Sequence, residues 1–204
     1  MGKKLEFFYD CSSPWTYLAF SQIEEVARRG KAELVWRPIL VGGVFNAVNP
    51  SVYESRANPV KAKARYYKKD MQDWAHLYGL KIVDPSGLVV FPVNSVKAMR
   101  GAFVAEEHGK ISPYSRRVFE TYWGENKDIS KDEVLRDIVR AVGLDEGEYF
   151  TKIASQPYKD KLKANTDELI ERGGFGSPTI FVEGEMFFGN DRLVLVEHAL
   201  SHRH

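Results

Sequence analysis

FFYDCSSPWTYLAF, residues 7–20, contains a turn between one apolar run and the start of another. The run before the turn, LEFFY (5–9), predicts a short buried strand. After the turn, Ser13 is a favourable helix N-cap, and Pro14 suits the first helical position, where its missing N–H needs no partner. Apolar residues then recur with helical spacing. The stretch therefore predicts a strand that passes directly into a helix.

A second strand after this helix completes a β-α-β unit. Gly30 fits the end of the helix, and AELVWRPIL (32–40) has the apolar, β-branched character of a strand. A β-α-β order normally gives two parallel strands joined by a right-handed crossover. The next stretch, VGGVFNAVNPSVYESRANP (41–59), contains Gly-Gly and two Asn-Pro steps, so we expect a loop there.

The middle of the chain has helical patterns, and its end returns to strands. SPTIFVEGEMFFG (177–189) forms two short runs around Glu183-Gly184 and predicts a hairpin. NDRLVLVEHALS (190–201) predicts a helix capped by Asn190 or Asp191. The order is βαβ, a helical block, then ββα, and without the block it is the order of a thioredoxin fold. Within the block, helices are expected over residues 60–79, 94–108, 113–123, 131–142, 146–155 and 158–172.

Composition and charge disfavour several classes of protein. The 204 residues are 44% hydrophobic, enough for a core, and 29 basic residues against 28 acidic ones give no support for nucleic-acid binding. No apolar run approaches the roughly 18 residues of a membrane span, and the start MGKKLEFFYD does not resemble a signal peptide. One cysteine cannot form an internal disulfide. We therefore expect a cytoplasmic protein with a small-molecule substrate.

The histidines show no metal-ligand spacing, and the final SHRH is expected to be a solvated tail rather than a metal site. The turn itself looks like the site of a thiol-disulfide enzyme without the second cysteine. Cys11 lies upstream of the helix, so we expect a small buried or half-buried residue rather than a nucleophile. Ser13 lies at the helix N-terminus, where backbone N–H groups and the helix dipole favour an anion. Two interpretations stay open: Ser13 only caps the helix, or its hydroxyl binds a thiolate from another molecule.

Several segments resemble one family, in family order. DCSSPWTYLA resembles the amino-terminal motif of the kappa-class glutathione transferases and 2-hydroxychromene-2-carboxylate isomerases, and GSPTIFVEGEMFFGNDRL resembles their carboxy-terminal motif. KKDMQDWAHLYG, VFPVNSVKAMR and YWGENKDIS also resemble family segments. The resemblance implies an α/β protein: a thioredoxin fold with a large inserted all-helical domain. We expect the thioredoxin-like domain at residues 1–45 and 174–204, and the inserted domain at residues 46–173.

The same resemblance implies glutathione as the cofactor and Ser13 as the catalytic residue. The hydroxyl and the helix N-terminus would lower the pKa of the glutathione thiol. Pro178 is implied to be a cis proline that faces the helix. Ser177 would contact the cysteinyl unit through its backbone, which leaves its side chain weakly constrained. The implied cofactor-binding residues are Asn49, Lys61, Ser177, Pro178, Phe188, Gly189, Asn190 and Asp191.

These residues also have plainer interpretations. Asp191 is implied to accept hydrogen bonds from the γ-glutamyl ammonium, and Lys61 to pair with the glycyl carboxylate. Asn190 and Asp191 would equally serve as N-caps, and Lys61 as a solvated helix charge. The alignment is loose around Asn49 and Lys61, so whether they contact glutathione stays open.

Trp15, Asn94 and Trp123 are candidate walls of the substrate pocket, although each tryptophan also fits a core position. The chain departs from the chromene isomerase pattern at Val44–Asn46, where that group has a lysine, and just after Phe91-Pro92, where it has a tyrosine. Both missing residues belong to recognition of the aromatic acid. The resemblance therefore predicts the cofactor better than the substrate.

The implied activity is isomerisation of an aromatic or unsaturated carbonyl compound. A thiolate would add to the unsaturated carbon, bond rotation would follow, and elimination would return glutathione. Without elimination, the same addition gives a conjugate, as in a transferase. The alternative that the resemblance implies is a kappa-type glutathione transferase/peroxidase. A Dsb-like disulfide oxidoreductase is disfavoured by the missing Cys-x-x-Cys, and a glutathione-binding protein without turnover remains an alternative. The kappa-type relatives suggest a homodimer.

Overall fold

The apolar run before the turn forms the strand β1, Lys4–Tyr9, of a four-stranded sheet in the computed structural model. The structure describes residues 2–202. Met1, and Arg203 and His204 of the SHRH tail, lie outside the described residues.

β1 is central in the sheet, whose order is β2-β1-β3-β4. It pairs in parallel with β2, Glu33–Pro38, and antiparallel with β3, Thr179–Val182. β3 continues into β4, Glu185–Phe188, through the turn at Glu183-Gly184, where both residues have positive φ angles. The strands and the hairpin expected from the sequence are confirmed, and the mixed sheet is that of a thioredoxin fold.

α1, Pro14–Arg29, connects β1 to β2 and begins as the sequence indicates. Ser13 caps it, and Arg28 and Arg29 in its last turn suit the negative end of the helix dipole. Gly30 is confirmed as the C-cap, but its φ of −75° is accessible to any residue. A Cβ at this position would lie 2.5 Å from Leu200 Cδ1, so the close approach of the last helix is what requires glycine here.

Between residue 60 and β3 the chain is mainly helical, as expected, and the expected helices agree with the observed ones to within a few residues. A π-helical turn, Glu120–Gly124, follows one of them. The helices are α2 (Val41–Val48), α3 (Ser51–Ala57), α4 (Lys61–Leu77), α5 (Val96–Glu107), α6 (Ile111–Phe119), α7 (Asp132–Ala141), α8 (Glu146–Ala154) and α9 (Gln156–Glu171).

The loop expected over residues 41–59 is wrong, because α2 and α3 occupy most of it. Two glycines weaken the intrinsic preference for helix, but tertiary contacts outweigh it. The N–H of Val41 donates to the buried carboxylate of Asp10 at 2.8 Å, and Val44 is fully buried against Phe8 and Leu169. A Cβ at Gly43 would lie 3.3 Å from Thr166 in α9, so a small residue allows the two helices to pack closely.

One hydrophobic cluster joins the sheet to the inserted helices. The ring of Phe119 in α6 lies 5.1 Å from Tyr17 and 5.0 Å from Phe20 in α1, measured between ring centroids. The same cluster contains Tyr9 of β1 and Tyr149 of α8, both about fully buried. The thioredoxin-like segments and the inserted helices therefore share one core. Because this core does not mark where one domain ends and the other begins, the domain boundaries at residues 45 and 174 stay a prediction.

Glu6 is a charged residue in the central strand β1, and only 7% of its surface is exposed. Its carboxylate accepts hydrogen bonds from Arg37 Nη2 at 2.9 Å and from Arg172 Nη2 at 2.8 Å. The Arg172 guanidinium also lies over the ring of Phe181. Burial raises the pKa of Glu6, but the hydrogen bonds from the two arginines outweigh it and lower the pKa to about 2. The ion pairs thus fix α9 against the sheet.

α10, Leu193–Ser201, ends the described chain after a 3-10 turn at Asn190–Arg192. The predicted cap is wrong, because Arg192 occupies the N-cap position and neither Asn190 nor Asp191 makes a capping hydrogen bond. Within residues 2–202, each helix is too short or too polar to cross a membrane.

Candidate active site

Ser13 lies where α1 begins, with a half-buried side chain. Its Oγ accepts the backbone N–H of Thr16 at 3.3 Å, which is the capping bond. Its hydroxyl donates to the backbone carbonyl of Ser177, also at 3.3 Å. The two segments singled out in the sequence, 164 residues apart, therefore meet at this hydroxyl.

Ser177 connects three elements through its side chain. Its Oγ accepts the N–H of Asp10 at 3.0 Å and shares a hydrogen bond of 2.8 Å with Thr16 Oγ1. The role implied for Ser177 in glutathione binding constrains its side chain weakly, but the fold fixes it, because the hydroxyl is buried and has two partners. The Ser177–Pro178 peptide bond is cis, as expected, and the Pro178 carbonyl accepts the N–H of Gly189 at 3.2 Å.

Asp10 is a fully buried carboxylate beneath the turn, and the sequence reasoning missed it. It accepts the N–H of Ser12 at 2.9 Å, the N–H of Val41 at 2.8 Å and the hydroxyl of Ser95 at 3.1 Å. Burial raises the pKa of Asp10, and these three donors act in the opposite direction. A polar residue directly after a buried strand was the signal in the sequence. Its carboxylate fixes the turn to α2 and to the start of α5.

Cys11 is not placed to act as a nucleophile. Only 1% of its surface is exposed, and burial raises the pKa of its thiol well above the usual range, so the reactive thiolate is disfavoured. Its backbone carbonyl accepts the indole N–H of Trp123 at 2.9 Å. The expectation of a small buried residue is confirmed.

The β4–α10 turn contributes four of the predicted residues. Phe188 is 38% exposed, and its ring lies 4.4 Å from that of Phe175. Gly189 has a φ of +106°, which disfavours any other residue. Asn190 is 4% exposed, yet its Nδ2 has no hydrogen-bond partner among the described residues. Asp191 is exposed and pairs with its neighbour Arg192. The turn thus holds a buried, unpaired amide donor beside an exposed carboxylate.

Asn49 is brought to this turn, whereas Lys61 is not. Asn49 Nδ2 donates to the carbonyl of Phe175 at 3.1 Å, next to the ring that packs on Phe188. Lys61 is the first residue of α4, and its exposed side chain has no ion pair or hydrogen bond with any residue from 2 to 202.

The three candidate substrate residues have different environments. Trp15 is half-buried at the first turn of α1, and Asn94 is exposed, with its Oδ1 accepting the N–H of Val96 at 3.1 Å. Trp123 has no exposed surface, so it supports the turn from beneath and does not form a pocket wall in this structure. The exposed face near Trp123 is provided by Phe91, whose ring lies 6.4 Å from the indole.

The arrangement suits an anionic ligand. A hydroxyl and the N-terminus of a 16-residue helix face the same point, and the adjoining loop holds an unpaired amide donor. The part of the chain that the structure describes has no group of three or more His, Cys, Asp or Glu side chains that would hold a metal ion. What the site lacks is a nucleophile of its own, since Cys11 is buried and Ser13 has no neighbouring base among the described side chains.

Comparison with known proteins agrees with this geometry. The chain is 28% identical over 197 residues to a 2-hydroxychromene-2-carboxylate isomerase from Pseudomonas putida, covering 97% of this chain and 94% of the relative. It is 26% identical to human glutathione S-transferase kappa 1, covering 100% of this chain and 93% of the relative.

Solved structures give the same fold. A 2-hydroxychromene-2-carboxylate isomerase superposes with a TM-score of 0.80 at 26% identity, over 97% of this chain and 94% of that one. A probable DsbA oxidoreductase from Streptomyces coelicolor superposes with a TM-score of 0.75 at 16% identity, over 98% of this chain and 88% of that one, and shares the fold alone. The model of the DSBA-like thioredoxin domain matches residues 4–201. The chain therefore belongs to the DSBA-like thioredoxin family, with the resemblance to chromene-carboxylate isomerases and kappa-class transferases confirmed.

Proposed function

We propose that the protein is a glutathione-dependent isomerase of the 2-hydroxychromene-2-carboxylate isomerase type. The observation that carries the proposal is the Ser13 hydroxyl, which caps α1 and reaches the carbonyl beside a cis proline. One exchangeable proton and a helix N-terminus at this position would suit a ligand sulfur. The similarity to isomerases over nearly the whole chain favours the same chemistry.

The residues around Ser13 fit glutathione. The unpaired Nδ2 of Asn190 suits the α-carboxylate of the γ-glutamyl unit, because a buried donor without a partner is costly and a carboxylate would satisfy it. The exposed carboxylate of Asp191 suits the neighbouring ammonium. The γ-glutamyl end of the peptide would be lined by Pro178, Gly189 and the Phe188 ring. The cysteinyl unit in the middle would be lined by Ser177. Asn49 borders the same turn, so we assign it to the peptide as well.

When bound, glutathione supplies a thiolate that adds reversibly to an unsaturated carbon next to a carbonyl group, so that the former double bond can rotate. Ser13 would hold that sulfur as an anion. Its hydroxyl has a single proton, now given to the Ser177 carbonyl, and a charged acceptor would compete for it successfully because charge-assisted hydrogen bonds are stronger. The dipole of α1 adds stabilisation of the same sign. Both effects lower the pKa of the thiol and raise its reactive fraction at neutral pH.

A kappa-type transferase is the second candidate, and the similarity to the human kappa transferase favours it. Both activities use the same residues at Ser13, and they differ in whether the adduct is released or reverts. Trp15 and Asn94 would contact the substrate, with Trp123 supporting them. A disulfide oxidoreductase is disfavoured, because Cys11 is buried and has no second cysteine to pair with.

Glutathione binding is the first test. Ligand at a hundredfold excess over Kd stabilises a protein by about 2.7 kcal/mol, which a thermal unfolding experiment detects as a higher Tm. We expect that rise with glutathione and a smaller rise with cysteinylglycine, which lacks the γ-glutamyl unit. Asp191→Ala should weaken the response to glutathione and leave the response to cysteinylglycine unchanged.

Turnover is the second test. A panel of unsaturated aromatic carbonyl compounds is assayed with and without glutathione, following isomer and conjugate separately. Isomer formed only with glutathione supports the isomerase, and conjugate alone supports the transferase. No rise in Tm at millimolar glutathione would refute the proposal, as would turnover that is independent of glutathione.

A further inference from the structure

Arg56 on α3 is held between two aromatic rings. Its guanidinium carbon lies 5.6 Å from the ring centroid of Phe45 and 5.6 Å from that of Phe91. Both separations are within the roughly 6 Å range of cation–π attraction. The side chain is exposed and forms no ion pair or hydrogen bond with another residue between 2 and 202. A positive charge is therefore positioned by rings and has no anionic partner in the described chain.

Each of the two rings is connected to the candidate site by its own contacts. Phe45 Cε1 lies 3.7 Å from where a Cβ of Gly176 would be, directly before Ser177, and the Phe188 ring contacts the same point. Phe91 packs on Trp123, whose indole donates to the carbonyl of Cys11, two residues before Ser13. Ser13 itself joins the Cys11 side to the Ser177 side through its hydroxyl. The guanidinium thus lies close to one ring from each of the two segments that meet at Ser13.

Attraction to a ring does not use up the N–H groups of a guanidinium. These groups point outward in its plane and match the two oxygens of a carboxylate. Holding the side chain in advance reduces the conformational entropy lost on binding. An arginine in this setting suits a planar carboxylate beside aromatic surface.

We propose that Arg56 binds a carboxylate of the small molecules used at Ser13, and thereby selects organic acids over their neutral analogues. The proposal rests on the proposed function, because that function places the ligands at Ser13. The carboxylate has two possible sources: an aromatic acid substrate, or the glycyl end of glutathione. Lys61, expected from the sequence to bind the glycyl end, has no contact in the described chain that ties it to Ser13.

Isothermal titration calorimetry of the whole protein tests this with two matched pairs of probes. Cinnamate is compared with cinnamamide in the presence of glutathione, and glutathione is compared with its glycyl amide. The variants are Arg56→Gln, which removes the charge, and Arg56→Lys, which keeps the charge but not the planar fork. Arg65→Gln is the matched control, because Arg65 is also exposed and has no ion pair within residues 2–202.

We expect Arg56→Gln to lower the affinity for one of the two acids about 10-fold, because one charge-assisted contact is lost. The affinity for the corresponding amide should not change. The affinity of Arg56→Lys for that acid should lie between those of the wild type and Arg56→Gln, and the affinity of Arg65→Gln should match the wild type. A loss confined to cinnamate identifies the substrate as the source, and a loss confined to glutathione identifies the glycyl end. Equal binding of both acids by wild type and Arg56→Gln overturns the assignment of Arg56. If the wild type itself does not bind glutathione, the proposed function fails, which is a different result.

Discussion

We expect Ser13→Gly to raise the pKa of the glutathione thiol bound at the site while leaving α1 almost as stable as before. The hydroxyl has two roles in the structure, and glycine separates them. As a cap, Ser13 accepts the N–H of Thr16, and as a donor it reaches the Ser177 carbonyl. The backbone at Ser13 is extended, with φ −106° and ψ 126°, so glycine does not need to change it.

The two distances set the expected magnitudes. The capping bond is 3.3 Å, at the long end of ordinary N–H···O distances, so its loss in Ser13→Ala should cost about 1 kcal/mol or less. Glycine at an N-cap costs only a few tenths of a kcal/mol. A hydrogen bond to a charged sulfur is worth roughly 1.5–3 kcal/mol, which corresponds to about one to two pKa units. The pKa should therefore change much more than the stability.

The thiol pKa is read from the ultraviolet absorbance of the thiolate, as a difference between protein with and without glutathione over a pH titration. Taking the difference removes the absorbance of Cys11, because that residue is present in both samples. Ser13→Thr is the control, because it keeps a hydroxyl that can cap and donate. It should titrate close to the wild type, whereas Ser13→Gly and Ser13→Ala should both titrate higher. Urea unfolding measures the stability of each variant separately.

The reasoning is refuted if Ser13→Gly binds glutathione with an unchanged thiol pKa and an unchanged rate of turnover. Ser13 would then be a helix cap and no more. A raised pKa with an unchanged rate of turnover would show that Ser13 donates a hydrogen bond to the thiolate but that this bond does not matter for catalysis.

Three other predictions follow from the same contacts. Cys11→Ala should keep most glutathione-dependent turnover, measured by steady-state kinetics, because Cys11 is buried and its thiol pKa is raised; a collapse of activity in a folded variant would make Cys11 the nucleophile. Ser177→Ala should destabilise the protein by about 1–3 kcal/mol in urea unfolding, because it leaves the buried N–H of Asp10 without its acceptor; a change within error would show that water replaces the hydroxyl. The pKa of Glu6 is lowered to about 2, so its ion pairs stabilise the fold fully above pH 4.5 and lose this effect as the pH falls through about 2. Glu6→Gln should therefore be less stable at neutral pH and show a flatter decline below pH 4.5, and parallel stability curves for the two proteins would contradict this.

The local elements were predictable because each has a signal within a few neighbouring residues. Ser13-Pro14 marks the start of α1, and Glu183-Gly184 marks the hairpin. The helices after residue 60 have an apolar stripe that repeats at helical spacing. Candidate residues followed once two such signals, at Ser13 and Ser177, were assigned to one fold.

The errors share one cause, which is contact with distant parts of the chain. Residues 41–48 look like a loop because of their glycines, but Asp10 accepts the first N–H of α2 and α9 covers the helix. Asn190 looks like an N-cap, but the chain makes a 3-10 turn first and the side chain is buried without a partner. Burial outweighed local preference in both cases, and at Val41 a tertiary hydrogen bond adds to it.

The sequence by itself determined where the strands, the helices after residue 60 and the Ser13 turn lie, because propensity, capping and apolar periodicity depend on neighbouring residues. Only the tertiary structure decided what surrounds Ser13. It made Ser177 a buried link between β1 and α1, placed Trp123 beneath the turn, and set Arg56 between two rings that lie 46 residues apart in the chain. These relations depend on distances between segments that no local pattern specifies, since they arise only when the inserted helices and the sheet share one core.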